Sequence, residues 1–75
     1  MKDEELDLHR VRHGEVRGIV DKFIYRHLQK GTSRVIIITG NSAHMKELVK
    51  EALDDYGMFP EEDWMNHGQL NISLR

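Results

Sequence analysis

The chain has 75 residues, no cysteine and a net charge of −2, which allows one domain, residues 1–75, burying only about 60% of its unfolded surface. A disulfide, a thiolate metal site and a cysteine nucleophile are excluded. The longest purely apolar run, Val35-Ile36-Ile37-Ile38, is far below the ~18 residues of a membrane span, and residues 1–6 lack the basic start and apolar core of a signal peptide, so the expectation is a cytoplasmic protein away from any membrane.

Leu6-Asp7-Leu8-His9 alternates apolar with polar, the pattern of a half-buried strand. Leu6 and Leu8 then face the core, and Asp7 and His9 share the opposite face, because side chains alternate across a strand. From Val16, the positions Ile19, Val20, Phe23, Ile24 and Leu28 make one helical stripe. Lys30-Gly31-Thr32 ends that helix, with a basic residue in the last turn and a glycine suited to a left-handed cap. His27 lies on the stripe as a packed boundary residue. Gly14 keeps the residues before Val16 in a loop, so His9 and His13 do not make a two-histidine helical metal site despite their spacing.

The β-branched run 35–38 suits a central strand, and Thr39-Gly40-Asn41-Ser42 breaks it. Met45, Leu48, Val49, Ala52, Leu53 and Tyr56 repeat the helical stripe, with Asn41 or Ser42 as N-cap and an end near Gly57. Pro60 and Glu61-Glu62-Asp63 form a connection, residues 63–66 read as a short strand with Trp64 and Met65 of open facing, and Asn66-His67-Gly68 is turn chemistry. Leu70, Ile72 and Leu74 alternate with Asn71, Ser73 and Arg75 in a last strand. The order β-α-β-α-β-β predicts an α/β two-layer sandwich with a four-stranded mixed sheet and two helices. Right-handed crossovers make the first three strands parallel and a hairpin returns the last. The expected core is Leu6, Leu8, Val16, Ile19, Val20, Phe23, Ile36, Ile38, Leu48, Val49, Ala52 and Ile72.

Ligands of such sheets collect at the carboxyl ends of the parallel strands, where segments 9–14, 39–43 and 66–69 converge. The turn at Gly40 opens the second helix, whose free N–H groups and positive dipole end suit a phosphate; an ordinary glycine turn with a good N-cap is the plain alternative. Asp7 and His9 make an acid–base pair in which the carboxylate orients the imidazole, or else two solvated polar residues. Residues 10–50 hold nine Lys or Arg against three acids, so the net charge conceals either a basic face or a mixed solvated surface.

Leu6-Asp7-Leu8-His9, the helix after it, the strand running into Thr39-Gly40-Asn41-Ser42, and Gly68 before the alternating last strand together resemble the Smr domain, found at the C-terminus of MutS-type proteins and as a short stand-alone protein. The resemblance covers nearly the whole chain. The family opens on Leu-Asp-x-His and carries His-Gly-x-Gly before its second helix. The resemblance implies the fold of the C-terminal domain of translation initiation factor three, and a role in DNA nicking or in RNA cleavage and binding. Arg10 stands where the family has glycine, and Thr39 where it has histidine.

By that resemblance Asp7 and His9 are the catalytic or metal-proximal candidates and Gly40 the phosphate-side turn. The residues themselves add Arg10, Arg12, His13, Arg17, Thr39, Asn41 and Ser42 as phosphate or nucleic-acid contacts. Thr39 carries no general-acid role, since a hydroxyl does not shuttle protons near neutral pH, and His67 in the hairpin is the substitute. Metal ligands are unassigned, with Mg²⁺ or Mn²⁺ the divalent cofactor to test. Three functions follow: a weak DNA or RNA endonuclease, a nucleic-acid-binding module that does not cut, and an adaptor that meets a protein partner through its acidic residues between 51 and 63.

Overall fold

A computed structural model describes residues 4–63 and 65–74, Asp63 through its backbone only. The elements are β1 (Glu5–Asp7), α1 (His13–Lys30), β2 (Arg34–Ile38), α2 (Ala43–Asp54), β3 (Glu61–Asp63) and β4 (Asn66–Ser73). The sheet order is β1-β2-β4-β3. β1 pairs parallel to β2, while β4 pairs antiparallel to both β2 and β3, so β1, β2 and β3 share one direction and β4 runs back between the last two. The predicted order, mixed sheet and strand directions hold.

One face of the sheet carries both helices. Leu8, Val35, Ile37, Leu70 and Ile72 from the sheet side join Val16, Val20, Phe23 and Ile24 of α1 and Met45, Val49, Ala52 and Leu53 of α2 in one buried cluster. Leu6, Ile19 and Leu48 pack against its margin. Ile36 and Ile38, expected in the core, lie instead on the open face and are half-buried, and Val35 and Ile37 take their places. Four consecutive β-branched residues carry no alternation to choose a face. The choice comes from the neighbours, because Ile37 is aligned with Leu6 on one side and Leu70 on the other, and a shift of one residue would turn every side chain over.

Several element boundaries differ from the sequence reading: β1 is Glu5–Asp7, which leaves His9 beyond the strand, and α2 ends at Asp54, ahead of Gly57. α1 begins at His13 rather than Val16, with Arg12 as an N-cap that makes no side-chain cap bond. Gly14 falls in that first turn, and nothing stands within 4 Å of where a Cβ would be. β3 lies at Glu61–Asp63, ahead of the expected 63–66, and Asn66, His67 and Gly68 open β4 instead of forming the turn. Of the two residues whose facing was open, Met65 is exposed and Trp64 lies outside the described residues, as does Arg75. The α1 end is as expected: Gly31 adopts φ 76°, with Thr32 N–H donating to the His27 carbonyl at 3.0 Å. His27 is fully buried, its Nδ1 at 2.8 Å from the Thr32 hydroxyl.

Candidate functional site

β1 and β2 end side by side, and the site is built on that shared edge. Leu8 follows β1, is fully buried, and donates its N–H to the Ile38 carbonyl at 2.8 Å. Its own carbonyl accepts from Val11 N–H at 3.0 Å, which turns the chain sharply and leaves His9 and Arg10 exposed at the rim.

Asp7, on the open face, accepts the His9 backbone N–H at 3.1 Å and lies 2.5 Å from His9 Nδ1 through the same oxygen. Arg10 Nε donates to His9 Nε2 at 3.2 Å. A guanidinium has only donors, so Nε2 is the unprotonated nitrogen and Nδ1–H donates to the carboxylate. Both bonds assign the same tautomer. The Asp7 carboxyl is held below the usual carboxylate range, first by the His9 side-chain hydrogen bond, then by the His9 backbone N–H, with smaller contributions from the charges of His9 and Arg10.

The exit from β2 is constructed from backbone. Thr39 and Gly40 both donate their N–H to the Gly68 carbonyl, at 2.8 and 3.0 Å. Gly40 has φ 67°, a conformation that disfavours any residue with a Cβ. A Cβ on Gly68 would stand 3.6 Å from Gly40 Cα, and one on Gly40 would stand 3.8 Å from His9 Cβ. The three segments therefore touch at His9, Gly40 and Gly68. Asn66 shapes the third, accepting Gly68 N–H at 3.0 Å and donating to Gln69 at 3.1 Å.

Of the remaining sequence candidates, Thr39 is only 2% exposed and its hydroxyl is directed inward, 3.0 Å from the Gly40 carbonyl and 3.4 Å from that of Gly68. It braces the turn and does not face solvent. Ser42 is the N-cap of α2, its Oγ accepting Met45 N–H at 3.1 Å, while Asn41 is exposed. Arg12 is exposed at the start of α1, but Arg17 forms an ion pair with Asp55, the C-cap of α2, so its charge is already matched. His67 is exposed beside Gly68, with no hydrogen bond to His9 among the described residues.

His13 has a partner that sequence reasoning missed. Its ring centroid lies 4.5 Å from that of His44 at an interplanar angle of 53°, which brings the first turns of the two helices together. The pair is separated by too much chain for any local pattern to reveal it. No group of three or more His, Asp or Glu suited to a metal occurs among the described residues. A shallow, mainly apolar groove of about 370 Å³ bordered by Lys50, Met58, Phe59 and Pro60 includes none of these site residues.

Comparison with known proteins adds two findings. The Smr domain model matches residues 6–69. Among solved structures, the crystal structure of YdaL, a stand-alone small MutS-related protein from Escherichia coli, superposes with a TM-score of 0.77 at 23% identity. That match covers 100% of this chain and 66% of YdaL, so the chain spans just under two thirds of that protein's length and the likeness is one of fold. No curated protein matches the chain.

Proposed function

The chain belongs to the Smr domain family, and from that premise we propose that it binds nucleic acid along the rim where His9, Gly40 and Gly68 meet and slowly hydrolyses a phosphodiester there through Asp7 and His9. The observation that carries this reading is the tautomer of His9. Asp7 places the proton on Nδ1, and Nε2 is the unprotonated nitrogen, which in the free protein accepts from Arg10 Nε.

In the reaction, Nε2 takes the proton of an attacking water as its oxygen forms the bond to phosphorus. The bridging P–O bond breaks, and the imidazolium returns the proton to the leaving oxygen. Asp7 stabilises the imidazolium in between, as a carboxylate behind a catalytic histidine does. The Gly40 turn sets the start of α2, whose first-turn N–H groups lack helical acceptors and whose dipole favours the phosphate. Asn41, Arg12 and the His13–His44 pair border that start as further strand contacts, and Mg²⁺ or Mn²⁺ is the metal to supply in assays. DNA and RNA are both substrates to test.

A second reading, a nucleic-acid-binding module that does not cut, is supported by Thr39, because the family's second-motif histidine is replaced by an inward-facing hydroxyl. Single-turnover assays on labelled single- and double-stranded DNA and RNA, with and without Mg²⁺ or Mn²⁺, separate the two. Cleavage that disappears in His9→Ala, with the circular dichroism spectrum retained, supports the hydrolytic reading; cleavage at the parent rate in that variant overturns it. Binding by the parent without any cleavage selects the second reading.

A further inference from the structure

We propose that Arg10 is a positioning residue that caps Nε2 of His9 in the free protein and is drawn off it by the phosphate of a bound strand, so that strand binding uncovers the acid–base nitrogen. This deepens the reading of Asp7 and His9 as the reacting pair and rests on it.

Three hydrogen bonds define the resting state. Two bind His9 to Asp7, through its backbone N–H and through Nδ1, and the third joins Arg10 Nε to Nε2 at 3.2 Å. With both ring nitrogens engaged, His9 is held in one tautomer but has no lone pair free for a water. The two ends of the ring are unequal in strength. The Asp7 bond is short and charge-assisted, while the Arg10 bond is long and its acceptor is a neutral nitrogen. A phosphodiester oxygen is an anionic acceptor that a guanidinium can meet with two parallel N–H bonds and full charge attraction, whereas the neutral Nε2 takes one N–H and offers no opposite charge. A strand at the rim therefore competes for the guanidinium on favourable terms, whereas it has no means of displacing Asp7.

The setting of Arg10 supports the exchange. Arg10 is exposed and forms no ion pair with a carboxylate among the described residues, in contrast to Arg17 with Asp55. A guanidinium carries five N–H donors in a planar fork, so the edge not used on His9 is available to meet a phosphate oxygen first. The guanidinium then rotates toward the phosphate as a second bond forms. Release occurs beside the Gly40 turn, because His9 Cβ lies 3.8 Å from where a Cβ on Gly40 would stand. Phosphate capture and exposure of Nε2 are thus one event at one place.

The test is carbethoxylation of the histidines by diethyl pyrocarbonate, mapped by peptide mass spectrometry, with exposed His67 as the reference in the same sample. Arg10→Ala should raise the His9 rate relative to His67 by about fivefold, the equivalent of one net hydrogen bond of about 1 kcal/mol, and Arg10→Lys should fall in between because it keeps a donor. An unchanged His9-to-His67 ratio in Arg10→Ala overturns the cap. In the second arm, a non-hydrolysable phosphorothioate oligonucleotide is added to ¹⁵N-labelled parent protein. The Arg10 Nε–H resonance and the His9 Nε2 shift should move together, with the Nδ1–H signal retained; movement of neither on saturation, or loss of the Nδ1–H signal, overturns the proposal. Neither arm requires turnover, so the cap can fail while cleavage still depends on His9, and the catalytic reading can fail while the cap stands.

Discussion

The two strand exits that frame the candidate site are built from opposite materials. The exit from β1 is made of side chains: Asp7, His9 and Arg10 are all exposed and bonded to one another in a row. The exit from β2 is made of backbone, with Thr39 and Gly40 sharing the Gly68 carbonyl and the Thr39 hydroxyl folded inward. The first can be stripped of its chemistry without touching the fold, whereas the second cannot be altered without moving the fold. Substitutions at the two exits should therefore produce opposite signatures, reactivity lost at constant stability against stability lost first.

His9→Ala gives the largest effect on the first side. Loss of one acid–base group removes roughly 10² to 10⁴-fold of rate, and single-turnover cleavage should fall by that much while the thermal midpoint stays at the parent value. A drop in midpoint of many degrees would show that the β1 exit is structural after all. On the second side, Gly40→Val places a β-branched residue at φ 67°, which costs about 1–3 kcal/mol. Urea unfolding should register this as a lower midpoint with an unchanged slope; equal stability would show that the turn can relax, and the contrast between the exits would fail.

The acid limb of stability sharpens the contrast. Asp7 has its carboxyl held below the unfolded value by His9, so the unfolded state binds the proton more readily. The stabilisation is present above the unfolded carboxylate range and is lost as pH falls through the lower folded value. Asp7→Asn should flatten that acid limb slightly by lowering stability a little near neutral pH while leaving it unaltered at the acid end, and it should weaken cleavage because the imidazolium loses its counter-charge. A parent-like acid limb in the variant would remove the bond from the stability account.

The smallest expected effects concern the basic residues. Arg12→Ala should flatten the dependence of log affinity on log salt by about one unit if Arg12 meets a phosphate. Arg17→Ala should change it less, since Arg17 is already paired with Asp55. Equal slopes for both variants would mean that the pairing gives way to the strand.

The parts legible from the sequence were those with a local signature. Leu6 and Leu8 flank Asp7 in strict alternation, Gly31 ends α1 in the left-handed conformation, and Ser42 caps α2; each follows from a pattern a few residues long. What escaped depends on partners distant in the chain. Val35 and Ile37 face the helices because Ile72, Leu70 and Leu6 are aligned with them, which a uniform β-branched run cannot announce. Thr39 turns inward because its backbone N–H is bonded to the Gly68 carbonyl of β4, with the hydroxyl donating to the Gly40 carbonyl beside it. His13 meets His44 only once the helices lie together. The Asp7–His9 face was readable in advance, but the bond to Nε2 depends on a rotamer of Arg10, which no pattern encodes.

The strand order has a consequence for how the chain is made. β4 lies inside the sheet, between β2 and β3, although it is the last strand in the chain. On the ribosome, β1, α1, β2 and α2 emerge first, and β2 then has a partner on one side only. Until Asn66–Ser73 clears the exit tunnel, the other edge of β2 offers unpaired N–H and C=O groups, an adhesive edge of the kind that recruits foreign strands. A nascent chain stalled before Asn66 should therefore be held by chaperones or aggregate, while one carrying β4 closes its own sheet.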